Sequence, residues 1–67
     1  MTADEFRRRL NAGLEATGFS DATFAEIVGT TRPTVTRWRR GASVPHELLR
    51  DLILDKFLGS AAKEKAV

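Results

Sequence analysis

Helical spacing of the apolar residues is the feature that most constrains what this chain can fold into. Phe6, Leu10 and Leu14 recur at every fourth position, which places them in a single stripe along one helix. No stretch of the chain alternates between apolar and polar residues, as a half-buried strand would. The sequence therefore predicts an all-α fold, a compact bundle of about four helices.

Capping residues and glycines predict where the helices begin and end. Thr2 and Glu5 have the spacing of a capping box. Ser20 and Asp21 are competing N-cap residues of the second helix, and for Asp21 we prefer this capping role to a contact with a phosphate group. Pro45 is expected at the first position of the fourth helix, and a glycine is expected to end each of the first three. The predicted helices are 2–17, 20–28, 31–40 and 45–58.

The length of 67 residues allows only one small domain, because such a chain buries only about 60% of the surface that its unfolded form exposes. That domain is predicted over residues 1–59, followed by a flexible tail over 60–67. The chain has no cysteine, so packing rather than disulfides or thiolate–zinc sites must stabilise it. No apolar run reaches the ~20 residues of a membrane span, and no signal peptide is recognisable, so we expect a soluble intracellular protein.

His46 is the residue that would most readily suggest catalysis or metal binding. Glu47 is adjacent to it, but no nucleophile and no second ligand accompany the pair. We therefore expect a surface or phosphate-contacting histidine. No metal, no cofactor, no small-molecule substrate and no enzymatic activity are expected.

The charges are segregated along the chain, although its net charge is only +2. No acidic residue lies between Glu26 and Glu47, a window that contains Arg32, Arg37, Arg39 and Arg40. The other seven cations are outnumbered by nine acids, which leaves the rest of the chain at −2. A mildly acidic body with one basic element is typical of a protein that binds a polyanion. A solvated helix face without a partner is the alternative interpretation.

The residues from 21 to 40 have the spacing of two short helices that cross steeply. Ala25 presents a small side chain at the crossing, and Gly29 permits a turn conformation that a side chain would resist. This spacing resembles the helix-turn-helix of DNA-binding proteins, except that Thr30 stands where an aliphatic residue is more common. The predicted structural core of the motif is Phe24, Ala25, Val28, Gly29, Val35 and Trp38.

The stretch VGTTRPTVTRWRRGASVP resembles the Xre family of helix-turn-helix domains, the class of phage Cro and lambda-type repressors. The shared pattern is Gly-x-Ser/Thr-x-x-x-Ile/Val-x-x-Trp-x-x-Gly, and the resemblance extends from Phe6 to about Leu54. It implies a lambda-repressor-like fold and a sequence-specific transcriptional regulator, of phage or mobile-element type, that binds double-stranded DNA. Such a protein would be cytoplasmic in a bacterium and associated with the nucleoid when bound. Its recognition helix, about residues 31–40, would lie in the major groove.

The resemblance also implies individual DNA contacts along the third helix. Thr31, as the N-cap, would offer its amide and hydroxyl to a phosphate, and Arg37 would read a guanine edge. Arg40 would anchor the end of the helix on the DNA backbone. Leu14 and Arg39 stand where many members pair an arginine with a glutamate, so Arg39 is expected at the surface or on the DNA backbone. The full predicted DNA-binding set is Thr31, Arg32, Pro33, Thr34, Thr36, Arg37 and Arg40.

Surplus apolar residues at the end of the fourth helix predict a homodimer that binds a palindromic operator. The alternative is that this helix simply covers the core of the monomer. A protein-interaction module, such as an antitoxin or antirepressor, could use the same fold, and so could a DNA-binding module cut from a larger protein. The predicted dimerisation residues are Leu54, Phe57 and Leu58.

Overall fold

Four α-helices and the short segments between them make up the fold. The computed structural model describes the backbone of residues 1–65 and the side chains of residues 1–57. In chain order the helices are α1 (Ala3–Thr17), α2 (Asp21–Val28), α3 (Arg32–Arg40) and α4 (Glu47–Lys65). No strand occurs in residues 1–65, so the prediction of a small all-α bundle of four helices is confirmed.

The beginning and the end of α1 agree with the sequence prediction. The Thr2 hydroxyl accepts a hydrogen bond from the Glu5 amide at 3.1 Å. The Glu5 carboxylate binds Arg9 at 2.8 Å, so the capping box forms in one direction only. Gly18 follows Thr17 as the C-cap of α1, and its φ of +74° is the left-handed conformation that glycine adopts without strain.

Of the two competing residues, Ser20 caps α2, so the capping role preferred for Asp21 was wrong. The Ser20 hydroxyl accepts a hydrogen bond from the Thr23 amide at 3.1 Å. Asp21 is the first helical residue, where its negative charge interacts favourably with the positive end of the helix dipole. Because the cap is already made, the Asp21 carboxylate is available to another element.

The beginning of α4 lies two residues beyond the predicted one. His46 Nδ1 accepts a hydrogen bond from the Leu48 amide at 3.1 Å, which supplies a cap in front of Glu47. Pro45 therefore lies outside the helix, and its carbonyl accepts a hydrogen bond from Arg50 Nε at 3.0 Å. His46 has a structural role at this helix start.

The end of α4 also lies beyond the predicted one, since the helix continues through Gly59 to Lys65. A glycine in a helix interior costs about 1 kcal/mol, which the strong helix formers of the sequence AAKEK can offset. The tail predicted for residues 60–67 is thus helical as far as Lys65, and residues 66 and 67 lie outside the described part of the chain. No helix within residues 1–65 is both long and apolar enough to cross a bilayer.

Aromatic side chains connect all four helices through one core. The Trp38 ring of α3 packs edge-on against Phe6 of α1 and Phe24 of α2, with centroids 5.8 and 6.5 Å apart. Phe24 in turn packs against Phe57 of α4 at 4.9 Å. The helices α3 and α4 each pack against both α1 and α2.

The predicted core of the helix–turn–helix segment is confirmed for its buried members, which are Phe24, Ala25, Val35 and Trp38. Val28 is half-buried against the same core. Gly29 is exposed and ends α2 with a φ of +79°, and no atom lies within 4 Å of the position of an added Cβ. Gly29 is therefore required by the backbone conformation of the turn and not by packing.

The side chains of Leu54 and Phe57, two of the residues predicted to form a dimer surface, are buried against the other helices and are not exposed to a second copy. Their exposed fractions are 6% and 1%. The Phe57 ring lies against Gly13 of α1, where an added Cβ would come within 2.6 Å of the ring. Because Gly13 has no side chain, the Phe57 ring can pack directly against the backbone of α1. Leu58, the third residue of that prediction, lies outside the described side chains.

Candidate nucleic-acid interface

The two sides of α3 differ in their surroundings. Val35 and Trp38 lie three residues apart and point into the core. On the other side of the helix, Arg32, Arg37 and Arg40 are exposed. The residues that line one shallow groove along this side are Arg32, Pro33, Thr36, Arg37 and Arg40. All five belong to the predicted DNA-binding set, and the structure brings them together.

The arginines of that groove differ from every other arginine in the chain. Four ion pairs occur among the described side chains, and none includes Arg32, Arg37 or Arg40. We call these three residues the α3 arginine face; a guanidinium without a partner keeps all five N–H donors available. The remaining arginines are held as follows: Arg7 and Arg8 by Asp4, Arg9 by Glu5, Arg39 by Asp21, and Arg50 by the carbonyls of Pro45 and Met1.

The N-terminus of α3 lacks the side-chain cap that begins α1 and α2. Thr31 occupies the predicted N-cap position, but its hydroxyl makes no capping hydrogen bond and lies 2.9 Å from the Thr34 hydroxyl. The first turn contains no acidic residue. Pro33 in this turn has no amide hydrogen to satisfy. The positive end of the helix dipole therefore adds to the charge of the nearby arginine face.

The hydroxyl of Thr36 lies at the groove but is engaged within the protein. It is 2.8 Å from the Asp21 carboxylate and 3.1 Å from the Arg32 carbonyl, both of which accept its hydrogen. Thr36 is half-buried, so its role as a predicted DNA contact is limited to its lone pairs and its methyl group.

The side chain of Arg39 joins three helices, which corrects the expectation that it is free. Its Nη1 donates to Asp21 of α2 at 2.7 Å, and its Nε donates to Asn11 of α1 at 2.8 Å. The Asn11 amide donates back to the Arg39 carbonyl at 3.2 Å. The position of α1 that the family pattern matches to Arg39 is Leu14, but the residue that binds Arg39 is Asn11, which lies three residues earlier on the same side of α1.

The Asp21 carboxyl has a pKa below its ordinary value. Partial burial acts to raise the pKa of Asp21, but hydrogen bonds from Arg39 and Thr36 and the charges of Arg39 and Arg32 outweigh that effect. Asp21 is therefore ionised at neutral pH. It holds α3 in a defined orientation against α2 and pairs with the one arginine of α3 that is not on the exposed face.

The α3 arginine face is suited to reversible binding of an anion. Arginine is permanently charged, and its planar donors fit a phosphate or the O6/N7 edge of guanine.

Within the residues that the structure describes, no group of three or more side chains could hold a metal ion. Comparisons with family models, curated proteins and solved structures gave no match for this chain.

Proposed function

We propose that this chain binds double-stranded DNA in a sequence-specific manner and regulates transcription, with α3 placed in the major groove. The observation that carries the proposal is the contrast among the arginines. Those of the α3 arginine face are unpaired among the described side chains, whereas the other five are held within the fold. The width of the major groove, about 12 Å, accommodates one α-helix. The resemblance to Xre-family domains supports the same mode of binding.

The positions along α3 suggest different tasks for its arginines. Arg37 lies in the middle of the exposed side, where a helix in the groove comes closest to the base edges, and we assign it a guanine. Arg40 lies in the last turn and would bind a phosphate, as would Arg32 together with the helix N-terminus. Occupation of an operator by such a protein would block or recruit polymerase.

The pairing of two copies on a palindromic site stays a prediction. Leu54 and Phe57, which were expected to form the surface between the copies, are buried. One recognition helix covers only a few base pairs, and two-fold pairing places two such helices about 34 Å apart on one side of the duplex. Sedimentation of the DNA complex would count the copies bound to each duplex.

The test of DNA binding uses a duplex selected from a random library and a scrambled duplex of equal length. The double variant Arg32→Ala/Arg37→Ala is compared with Arg8→Ala/Arg9→Ala, which removes the same charge from α1. We expect the α3 variant to lose at least about tenfold in affinity for the selected duplex, and the α1 variant to lose little. An absence of binding to any duplex at low salt, or an equal loss in both variants, would overturn the proposal.

A protein-interaction role is the second candidate function. The observation that favours it is the exposure of Leu48, Leu49 and Leu52 on α4. Binding to duplex DNA of random sequence at several salt concentrations separates the two functions. A chain that acts only through α4 would show little such binding, because counterion release requires contacts between cations and phosphates.

A further inference from the structure

One side of α4 exposes a stripe of large apolar side chains in its first half. The exposed fractions of Leu48, Leu49 and Leu52 are 77%, 49% and 64%. Positions 48 and 52 are one turn apart, and position 49 lies beside them, so the three form one continuous stripe. We call them the α4 leucine face. Contiguous exposed apolar side chains of this kind are typical of surfaces that another molecule covers.

Three acidic residues in the first half of α4 form one edge of this face. Glu47, Asp51 and Asp55 recur at every fourth position and are exposed. The four ion pairs among the described side chains include none of them. The apolar stripe is therefore bordered by three negative charges without a cationic partner within residues 1–57.

A groove between α1 and α4 extends the surface beyond the acidic edge. It is an open cavity of about 370 Å³. Asp51 and Asp55 line it, and Arg9 on the opposite side is already bound to Glu5 at 2.8 Å. The apolar part of its lining consists of Met1, Ala12, Gly13, Leu54 and Phe57. A large side chain that reaches past the acidic edge would find apolar contacts there.

We propose that the α4 leucine face binds an amphipathic helix of another protein, one whose apolar stripe is flanked by lysine or arginine. Leucines pack into the apolar stripe of the partner, and its cations lie beside the acidic edge, which supplies specificity and raises the association rate. The proposal does not depend on DNA binding, because α3 and α4 are separate elements. A regulator of the proposed kind would bind DNA through α3 and a basic partner through α4.

The acidic edge of α4 disfavours a second copy of this chain as the occupant. In a symmetric antiparallel pair of helices, the same edge of each helix meets its counterpart. Glu47 of one copy would then lie near Asp55 of the other, and the two Asp51 side chains would lie near each other. Like charges opposite each other across a helix interface oppose association. A basic helix avoids this repulsion.

The test uses a fluorescein-labelled synthetic peptide with leucines at helical spacing and lysines along one flank. A peptide with glutamine in place of lysine is the control for charge. The protein variants are Asp51→Asn/Asp55→Asn and Leu48→Ser/Leu52→Ser. The matched variant Glu15→Gln/Glu26→Gln changes exposed acids on α1 and α2 that are absent from the described ion pairs. Circular dichroism confirms that each variant folds, and DNA binding of each variant is measured separately.

The lysine peptide is expected to bind the unaltered protein and to bind more weakly as salt is raised. We expect the affinity to fall about tenfold in the aspartate variant and at least about tenfold in the leucine variant, because each change removes two contacts. The matched variant should change it less than about twofold, and the glutamine peptide should bind about as weakly as the aspartate variant binds the lysine peptide. DNA affinity should not decrease in any of these variants.

Three results would overturn the proposal. The first is an absence of binding of the lysine peptide to the unaltered protein. The second is a lysine-peptide affinity that does not change in the leucine variant. The third is a protein that sediments as a dimer and becomes a monomer in the leucine variant, since the occupant would then be a second copy.

Discussion

The helices α1 and α3 each carry several arginines and use them in opposite ways. In α1, Arg7 and Arg8 bind Asp4 and Arg9 binds Glu5, each at a spacing of three or four residues. The hydrogen bond from Arg7 contributes to a lowered pKa of Asp4. These arginines follow acidic residues of the first helical turn, so α1 neutralises its own charge.

In α3, no acidic residue precedes the arginines at that spacing. Proline and threonine occupy the positions four and three residues before Arg37, and threonine and arginine occupy those before Arg40. Only Arg39 is paired, and its partner Asp21 belongs to another helix. The number of arginines in a helix therefore does not determine how many of them stay unpaired; the positions of the acidic residues within one turn do.

The largest expected effect comes from removing the anchor of α3. Trp38 packs on Phe6 and Phe24, so Trp38→Ala should lower the free energy of unfolding by about 3–5 kcal/mol. A domain of this size has little more than that to lose. Arg8→Ala on the exposed surface of α1 should change it by about 0.5 kcal/mol or less. Urea denaturation followed by circular dichroism measures both, and a stable Trp38→Ala variant would contradict the core assignment.

The next effect separates base recognition from phosphate binding within α3. Arg37→Ala should cost about 1–3 kcal/mol on the selected duplex and remove the preference at one base pair. Arg40→Ala should weaken binding to all duplexes alike and lower the salt slope by roughly one. Arg8→Ala is the control, because its guanidinium is paired with Asp4. Fluorescence anisotropy on selected and scrambled duplexes provides the values, and equal effects of both α3 variants on both duplexes would contradict the assignment.

A smaller effect tests whether packing at Gly13, rather than the arginine pairs, determines how α1 lies on α4. Alanine favours a helix by about 1 kcal/mol over glycine, but its Cβ would lie 2.6 Å from the Phe57 ring. The ring is buried and cannot move away easily, so Gly13→Ala should have a net cost of about 1–2 kcal/mol.

A double-mutant cycle with Phe57→Leu measures the coupling between these two positions. The smaller side chain relieves the clash, so we expect non-additivity above about 0.5 kcal/mol. Stabilities that add within about 0.3 kcal/mol would show that Gly13 does not accommodate the ring.

The smallest effect concerns the ion pair between Asp21 and Arg39. Asp21→Asn should reduce stability by about 1 kcal/mol at neutral pH, since Asn11 still holds the guanidinium. The folded protein lowers the pKa of Asp21, so the stabilisation is present above the unfolded value of about 4 and is lost as the pH falls through the folded value. The unaltered protein should therefore lose stability below about pH 4, and the variant should lose less. Urea midpoints between pH 2 and 7 measure this, with Glu15→Gln as the control.

The bounds of the first three helices could be predicted from the sequence because their determinants lie within one helical turn. The cap at Thr2, the cap at Ser20 and the glycine at each helix end act between residues at most four positions apart. The same locality explains why the exposed set along α3 could be predicted, since the spacing of Val35 and Trp38 determines which side faces outward.

The tertiary structure alone decided which residues of α4 are buried. The sequence of α4 has more apolar residues than one side needs, so its pattern allows more than one orientation. Gly13 selects the orientation, because the Phe57 ring fits where a side chain of α1 is missing, and Leu48 and Leu52 are exposed as a result. The link between Arg39 and Asn11 spans 28 residues and likewise depends on how helices cross. Contacts within a helical turn follow from spacing, whereas contacts between helices depend on side-chain volumes that no single segment contains.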